Sequence, residues 1–348
     1  MKHLDLKHLP KLLTLLLVFI LSNAYSFTED STFVKEYRDK IHLRGYTSRK
    51  YTALLIHDIR SGDRWRMEPT STLNAGVGFT YGDMTLNLAY GFGFLNPLLE
   101  LGKTRYLDLQ AHVYPKNWII DSFGQIYNGF YFKNPPLNQE NQLDDFYSGH
   151  RLRKFGINIQ HVFNGEKLSL KSTFLQTGWQ KKSAGSFLLG GEAYVGKSWG
   201  ESGLIPATSI PSIEEINFIQ FGPNGGYAHT FVIAKHFYVT GVFSTNIGIN
   251  KLSMDNGANT LNSWNLRPNF FGRGFIGFNN DRWAINAAYL MNWIRLGAIN
   301  SYEFSSITGI YRIHLVHRLS PGPKLQPKIK KLFFNNLLSV PYRQIKDK

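Results

Sequence analysis

Three sets of residues carry the chemistry of this 348-residue chain. Asp108, Gln110 and His112 place an acid, an amide and an imidazole on alternate positions. Arg267 and Arg273 stand six residues apart, and Asn286 follows on a later segment. Lys181-Lys182-Ser183 puts a basic pair and a hydroxyl ahead of Ala184-Gly185. A spacing of two brings residues to one face of a strand. The first set therefore offers a lining that both donates and accepts hydrogen bonds. Arg267 and Arg273 also share a face, about 20 Å apart in an extended strand, as suits a mildly basic passage for anions. Asn158, Gln160, Lys171, Thr240, Ser244, Asn246, Asn269 and Asn292 extend the candidate polar lining. Lys181, Lys182 and Ser183 suit an exposed loop that meets phosphates, or a turn that fixes strand register around Gly185.

These sets do not assemble into catalytic machinery. A nucleophilic hydrolase needs a serine framed by a base and an orienting acid. The 11 histidines are scattered singly, and no nucleophile-elbow motif surrounds a serine near any of them. His314 and His317 are three apart, which puts them on opposite faces of a strand. There are no cysteines, so thiolate metal sites and disulfides are excluded. Gly190-Gly191 and Gly225-Gly226 lack the sequence of phosphate-binding loops and suit close packing and a hairpin turn. The expectation is a protein that is not an enzyme, with no catalytic residues, no metal site and no cofactor.

The elements that position these residues are strands. Leu73, Ala75, Val77, Phe79 and Tyr81 alternate with polar or small residues. Beyond Gly82-Asp83, Met84, Leu86, Leu88, Tyr90, Phe92 and Phe94 do the same. Strict alternation means strand, and Gly-Asp between two such runs means a tight hairpin. Each run is about ten residues, the length of a tilted membrane-crossing strand. Leu107, Leu109, Ala111 and Val113 form a second apolar face. Trp283, Ile285, Ala287, Tyr289, Met291 and Trp293 form a third, bracketed by tryptophans as at a membrane interface. Soluble strands average about five or six residues, which argues against a sandwich.

The termini point the same way. Lys2, Lys7 and Lys11 precede the apolar run 12–21 and then Ser22-Asn23-Ala24-Tyr25-Ser26, the layout of a secretory signal peptide. Net charge is +15, yet residues 318–348 alone hold eight Lys or Arg against one Asp. The excess is therefore concentrated in a tail, and an exported chain without a basic recognition helix excludes nucleic acid as a partner. The expected organisation is a signal peptide over 1–26, a periplasmic segment over 27–47 with a short helix around 30–40, a barrel over 48–320, and a basic periplasmic tail over 321–348.

The fold expected is all-β: a transmembrane antiparallel up-and-down β-barrel of about 14 strands, with 12 as the alternative. The fourteen are 48–58, 70–82, 84–94, 103–114, 118–132, 151–163, 167–177, 186–196, 214–222, 226–235, 237–250, 264–279, 282–295 and 302–318. Short connections at 82–83, 115–117, 164–166, 235–236 and 279–281 fall on one rim, which is periplasmic in outer-membrane barrels. This phase puts a long linker, 196–213, on that same rim and puts Lys181-Lys182-Ser183 on the opposite, outward side.

The block from Gln180 to Gly190, together with 73–81, 102–110, 129–131, 204–206 and 225–232, resembles an uncharacterised domain-of-unknown-function family of Bacteroidota outer-membrane barrels. The resemblance runs in order through about 30–320. It implies a fold and a location, the outer membrane of a Gram-negative bacterium, and no activity or ligand. The partners expected are outer-membrane lipids including lipopolysaccharide, and the barrel-assembly machinery during insertion. A passive pore or channel for small solutes is the expected role. A structural or assembly barrel anchoring loops or a partner is the alternative, followed by an envelope-lipid-modifying enzyme.

Overall fold

The computed structural model describes residues 30–81, 84–96, 98–114, 117–133, 146–201, 203–205 and 213–322. The expected signal peptide, and the expected tail beyond Gly322, lie outside them. In chain order the strands are β1 (Val34–Glu36), β2 (Ile41–Asp58), β3 (Arg64–Glu68), β4 (Leu73–Tyr81), β5 (Met84–Gly91), β6 (Arg105–Val113), β7 (Trp118–Lys133) and β8 (Phe146–Val162). The short helix α1 (Leu170–Phe174) and β9 (Gly178–Gln180) follow. Then come β10 (Ala184–Trp199), β11 (Glu215–Ile233), β12 (Phe237–Asp255), β13 (Thr260–Asn279), β14 (Trp283–Ile299) and β15 (Tyr302–Leu319).

All pairings are antiparallel, and β15 returns to β2 along its whole length, from Tyr302↔Asp58 to Leu319↔Ile41. The ring β2–β3–β7–β8–β10–β11–β12–β13–β14–β15 is therefore a closed barrel of ten strands. Three more strands widen one side at the level of the chain termini. β4 pairs with the first half of β2, β5 pairs with β4, and β6 pairs with β7. Among the described residues, β5 and β6 are not paired to each other.

The strand count expected from the sequence, fourteen or twelve, is thus corrected to ten in the closed ring plus extra strands. Two errors cancelled. The segment 167–177 is not a wall strand but a turn leading into α1. Its apolar residues Leu168, Leu170, Phe174 and Leu175 satisfy neither period cleanly. Conversely, 214–222 and 226–235 are one strand, β11. Pro223 lies between the two expected strands. It is accommodated because the β11–β12 ladder omits Gly222 and Pro223 and resumes in the same register. Because the errors cancelled, later strands kept their phase while the segments between changed rims. Residues 203–205 of the expected linker 196–213 lie at the end opposite the short turns, not on the short-turn rim. Lys181, Lys182 and Ser183 lie at the terminus end, not on the outward side. β2 begins at Ile41, so 41–47 is wall rather than periplasmic segment, and 30–40 holds β1 and turns rather than a helix.

Side chains alternate cleanly across the wall. On β12, Phe237, Val239, Phe243, Ile247 and Ile249 are exposed, while Tyr238, Thr240, Val242, Ser244, Asn246 and Asn250 are buried. The oily side faces out. The barrel is filled, not hollow. At the end away from the termini, Leu204, Ile205 and Ile213 fold inward onto Leu54, Trp65, Phe218, Leu252 and Phe304. At the terminus end, Leu168, Leu170 and Phe174 fold inward onto Tyr114, Ile119, Tyr238 and Phe275. Burying such side chains stabilises by roughly 1.5–3 kcal/mol each.

The N-terminal segment caps the terminus end. β1 pairs with β9. Lys35 and Tyr37 each donate to Asp281 Oδ1 at 2.6 Å, and Lys40 donates to its carbonyl at 2.9 Å. The hydrogen bonds from Lys35 and Tyr37 hold this carboxyl below the usual range. Lys35 and Asp281 are both well exposed, so their ion pair stabilises by no more than about 1 kcal/mol. A depressed carboxyl contributes where it is ionised and loses that contribution as pH falls through its folded value. Limited proteolysis ahead of Ile41 should therefore accelerate in acid in the wild type. An Asp281→Asn variant should be cut faster at neutral pH and show little further acid dependence, with the barrel's gel mobility unchanged. Equal cutting of both at neutral pH would contradict the clamp.

Candidate functional site

Between the two apolar layers lies a polar chamber built from inward positions on β6, β7, β8, β10, β11, β12 and β13. Two clusters share it. Asp121, on β7, is the hub of the first. It accepts from Arg273 of β13 in a short contact, from His112 Nδ1 of β6 at 2.7 Å, and from Asn158 of β8 at 3.4 Å. Arg273 also donates to the Tyr114 hydroxyl at 3.2 Å. Beside this cluster, Asp108 of β6 accepts from Lys50 at 3.0 Å, Gln125 at 3.0 Å and Tyr127 at 2.7 Å.

Glu192, on β10, centres the second. It accepts from Asn246 in a short contact, from Asn269 at 3.0 Å and from Asn224 at 3.3 Å. Asn224 donates to Asn158 at 2.6 Å and accepts from Gln160 at 3.2 Å, joining the clusters. Its donors are three amides and the Tyr194 hydroxyl, all of them neutral. Among the described residues no cation pairs with it. Lys154, on β8, is the converse. Its fully buried ammonium donates to Ser306 Oγ at 3.0 Å and Thr308 Oγ1 at 2.7 Å, with no carboxylate in ion-pair reach among the described residues. Glu192 faces Asn158 across the β8–β10 ladder, four positions from Lys154 on the inward register. The two charges are therefore separated by about 13 Å along one wall. Buried charges without counterions are costly, and such costs concentrate where something binds.

The residues singled out from the sequence are distributed as follows. Asp108, His112 and Arg273 come together around the first cluster, and Gln110 faces inward between Asp108 and His112. Asn158, Gln160, Asn246 and Asn269 join the second. Asn286 sits lower, donating to Tyr238 OH at 2.8 Å and to the Thr173 carbonyl at 3.2 Å, where it pins the inward segment. Thr240 bonds Thr230, and Asn292 reaches Tyr194. Lys171 is in α1, not in the wall. Arg267 reaches Glu303 at 3.4 Å instead of charging the chamber. Ser183 Oγ accepts from the Val232 amide at 2.9 Å and the Lys182 ammonium lies over Phe33, both at the terminus rim.

Sequence reading missed Lys50, Asp121, Lys154, Glu192 and Asn224. Their signal was parity. Asp121 interrupts the apolar run Trp118–Ile120, and Glu192 continues the buried positions Ser186 and Leu188. Among the described residues no group of three or more metal-ligating side chains converges. The chamber is a hydrogen-bonded polar network, and among the described residues no nucleophile in it is framed by a base.

A family model described as a domain of unknown function, DUF4421, matches residues 28–318. No curated protein matches the sequence. Among solved structures, the translocator domain of the autotransporter NalP from Neisseria meningitidis shares 8% identity, covering 89% of this chain and 96% of that one, with a TM-score of 0.33. OmpT of Vibrio cholerae shares 8%, covering 80% and 98%, at 0.30. The Pseudomonas putida toluene transporter TodX, in one of its structures, shares 7%, covering 80% and 89%, at 0.23. At scores this low the closed barrel rests on this chain's own hydrogen-bond ladder.

Removing one member of a buried ion pair costs about 3–5 kcal/mol, because the other charge is left uncompensated. Asp121→Leu should destabilise the folded protein by that amount in denaturant titration in detergent. Adding Arg273→Met should recover most of the loss. A single variant as stable as wild type would show that Arg273 does not depend on Asp121.

Proposed function

This chain belongs to the DUF4421 family, whose function is unknown, and we propose that it is an outer-membrane β-barrel of a Gram-negative member of the Bacteroidota that admits small polar solutes through a passage held shut at both ends. Three features support the membrane location: the outward apolar faces, the closed ladder, and exposed aromatic residues near strand ends, with Trp264 toward one end of the barrel and Trp283 and Phe237 toward the other. An exposed apolar belt of this extent is what lipid requires and water does not tolerate. The ends of the described residues, Asp30 and Gly322, then lie toward the periplasm, and 59–63, 203–205 and 256–259 lie toward the outside.

One observation carries the passage: the ends are filled by segments that are not wall. A rigid structural barrel could be filled by strand side chains alone. Here residues 203–205 close one end and residues 168–176 the other, and the chamber between them keeps Lys154 and Glu192 apart without counterions. The inner plug is held through its backbone. Arg44 donates to the Leu175 carbonyl at 2.5 Å, Arg318 to Gln176 at 2.6 Å, and Asn279 to Gly178 at 2.9 Å. Bonds from side chains to plug carbonyls can release the plug without breaking the wall. In this reading the protein is no enzyme. It binds no cofactor. It meets the barrel-assembly machinery on insertion and lipopolysaccharide once inserted.

The second reading, a structural barrel anchoring a partner, is favoured by the same filling, because apolar clusters occupy both ends of the interior. Planar-bilayer recording separates the two. Wild type should show rare or no steps. Replacing 168–176 by a Gly-Ser linker, with 203–205 changed to glycines, should give stable single-channel steps. A folded, heat-modifiable variant that never conducts would leave the structural barrel as the better account.

A further inference from the structure

The outer wall carries a basic groove near the end away from the termini, with a cavity volume of about 650 Å³. It lies where β14 leaves β13. The β13–β14 ladder stops at Phe270↔Trp293, and beyond a bulge between Arg295 and Gly297 β14 follows β15 alone. Side-chain amides replace the missing ladder. Asn269 Oδ1 accepts from the Arg295 amide at 2.9 Å, and Asn265 Oδ1 from the Ala298 amide at 3.2 Å. Arg267 occupies an inward register position opposite Gly248, yet its guanidinium reaches Glu303, an outward residue paired with His57. Its side chain therefore crosses the wedge to the outside.

Arg64 and Arg66 of β3, Lys133 of β7 and Arg295 of β14 converge with Arg267 on this groove. Two carboxylates oppose these five cations. Glu68 takes Arg66 and Lys133, and Glu303 takes Arg267. Among the described residues, Arg64 and Arg295 have no ion pair. Trp293 and Leu55 line the same groove, so an apolar surface continues directly from the charges. Cations at the polar border of an oily wall match a ligand with a phosphate head and hydrocarbon chains.

We propose that this groove binds a phosphorylated lipid of the outer leaflet, with Arg64 and Arg295 holding the phosphate and Trp293 and Leu55 meeting the first acyl segment. The proposal rests on the reading that the turns 59–63 and 256–259 face outward from an outer membrane. Arginine is suited to the task because its planar donor fork matches two phosphate oxygens at once.

The test uses the full chain in neutral detergent, titrated with bisphosphorylated lipid A, with its dephosphorylated analogue and with inorganic phosphate, with bound lipid read by native mass spectrometry. Lipid A should bind, the dephosphorylated lipid should bind about tenfold more weakly or worse, and inorganic phosphate should compete only feebly, since it lacks the chains. The Arg64→Gln, Arg295→Gln double variant should lose about tenfold per guanidinium for lipid A alone. Gel mobility with and without boiling shows that the variant is folded. Equal binding of both lipids, undiminished lipid A binding by the folded variant, or equal affinity for free phosphate would each overturn the proposal. Membrane fractionation is read alongside. A heat-modifiable outer-membrane protein that fails these titrations refutes the lipid site and leaves the barrel's location standing. A protein that stays soluble without detergent refutes the location itself.

Discussion

The structure depends on one ladder, the pairing of all 18 residues of β15 with β2. A strand wall facing lipid has no water to satisfy its backbone, so every N–H and C=O must find a partner inside the sheet. Only closure does that. Once β15 meets β2, the period-two alternation fixes the rest: one face must be oily outside, and the other must fill whatever space the ring encloses. The departures from the ladder are informative for the same reason. At Pro223 the missing donor coincides with a gap in pairing that costs no register. At the β13–β14 wedge, Asn265 and Asn269 supply side-chain acceptors where carbonyls are lacking. Gly129, at φ +92, allows β7 to bulge between Asn128 and Phe130 beneath the Phe146 ring.

Closure also explains the interior. A ring of about ten strands encloses more space than its own inward side chains fill, and this chain sends two connecting segments in. Their apolar residues exclude water from both ends. In the chamber between them the polar groups satisfy one another, and Asp121, Asp108 and Glu192 each collect at least three donors. Lys154 and Glu192 stand out because their partners are neutral. A chamber meant only as filler would gain by pairing them, or by replacing both with apolar residues.

Much of this was legible in the residues. Alternation found β4, β6, β12 and β14 and the orientation of their faces, because the pleat has a period of two whatever lies on either side. It placed Asp108, His112 and Arg273 inward for the same reason. It failed where a segment obeys no single period. Residues 167–177 read as a strand because Leu168, Leu170, Ser172 and Phe174 alternate before Leu175 breaks the period, and nothing local says that the segment leaves the wall. It failed again at Pro223, where the breaker's usual meaning depends on which neighbour the strand lacks. Arg267 was placed correctly on its register and wrongly in space, since a long side chain crosses a wedge that only the paired strands define. Asp121 and Glu192 were missed because a single acid in an apolar or glycine-rich run gives no sign of the amides and guanidinium that converge on it from other strands.

The claim on which the account turns is that lipid, not protein or water, covers the outward face. Spin labels placed singly along β12 of the protein in lipid vesicles measure this directly, by their access to dissolved oxygen and to a water-soluble paramagnetic reagent. Labels at Val239, Phe243 and Ile247 should be open to oxygen and closed to the aqueous reagent, and labels at Tyr238, Val242 and Asn246 should be shielded from both. Aqueous access at Val239, Phe243 and Ile247, or no alternation along the strand, would contradict a membrane-spanning barrel.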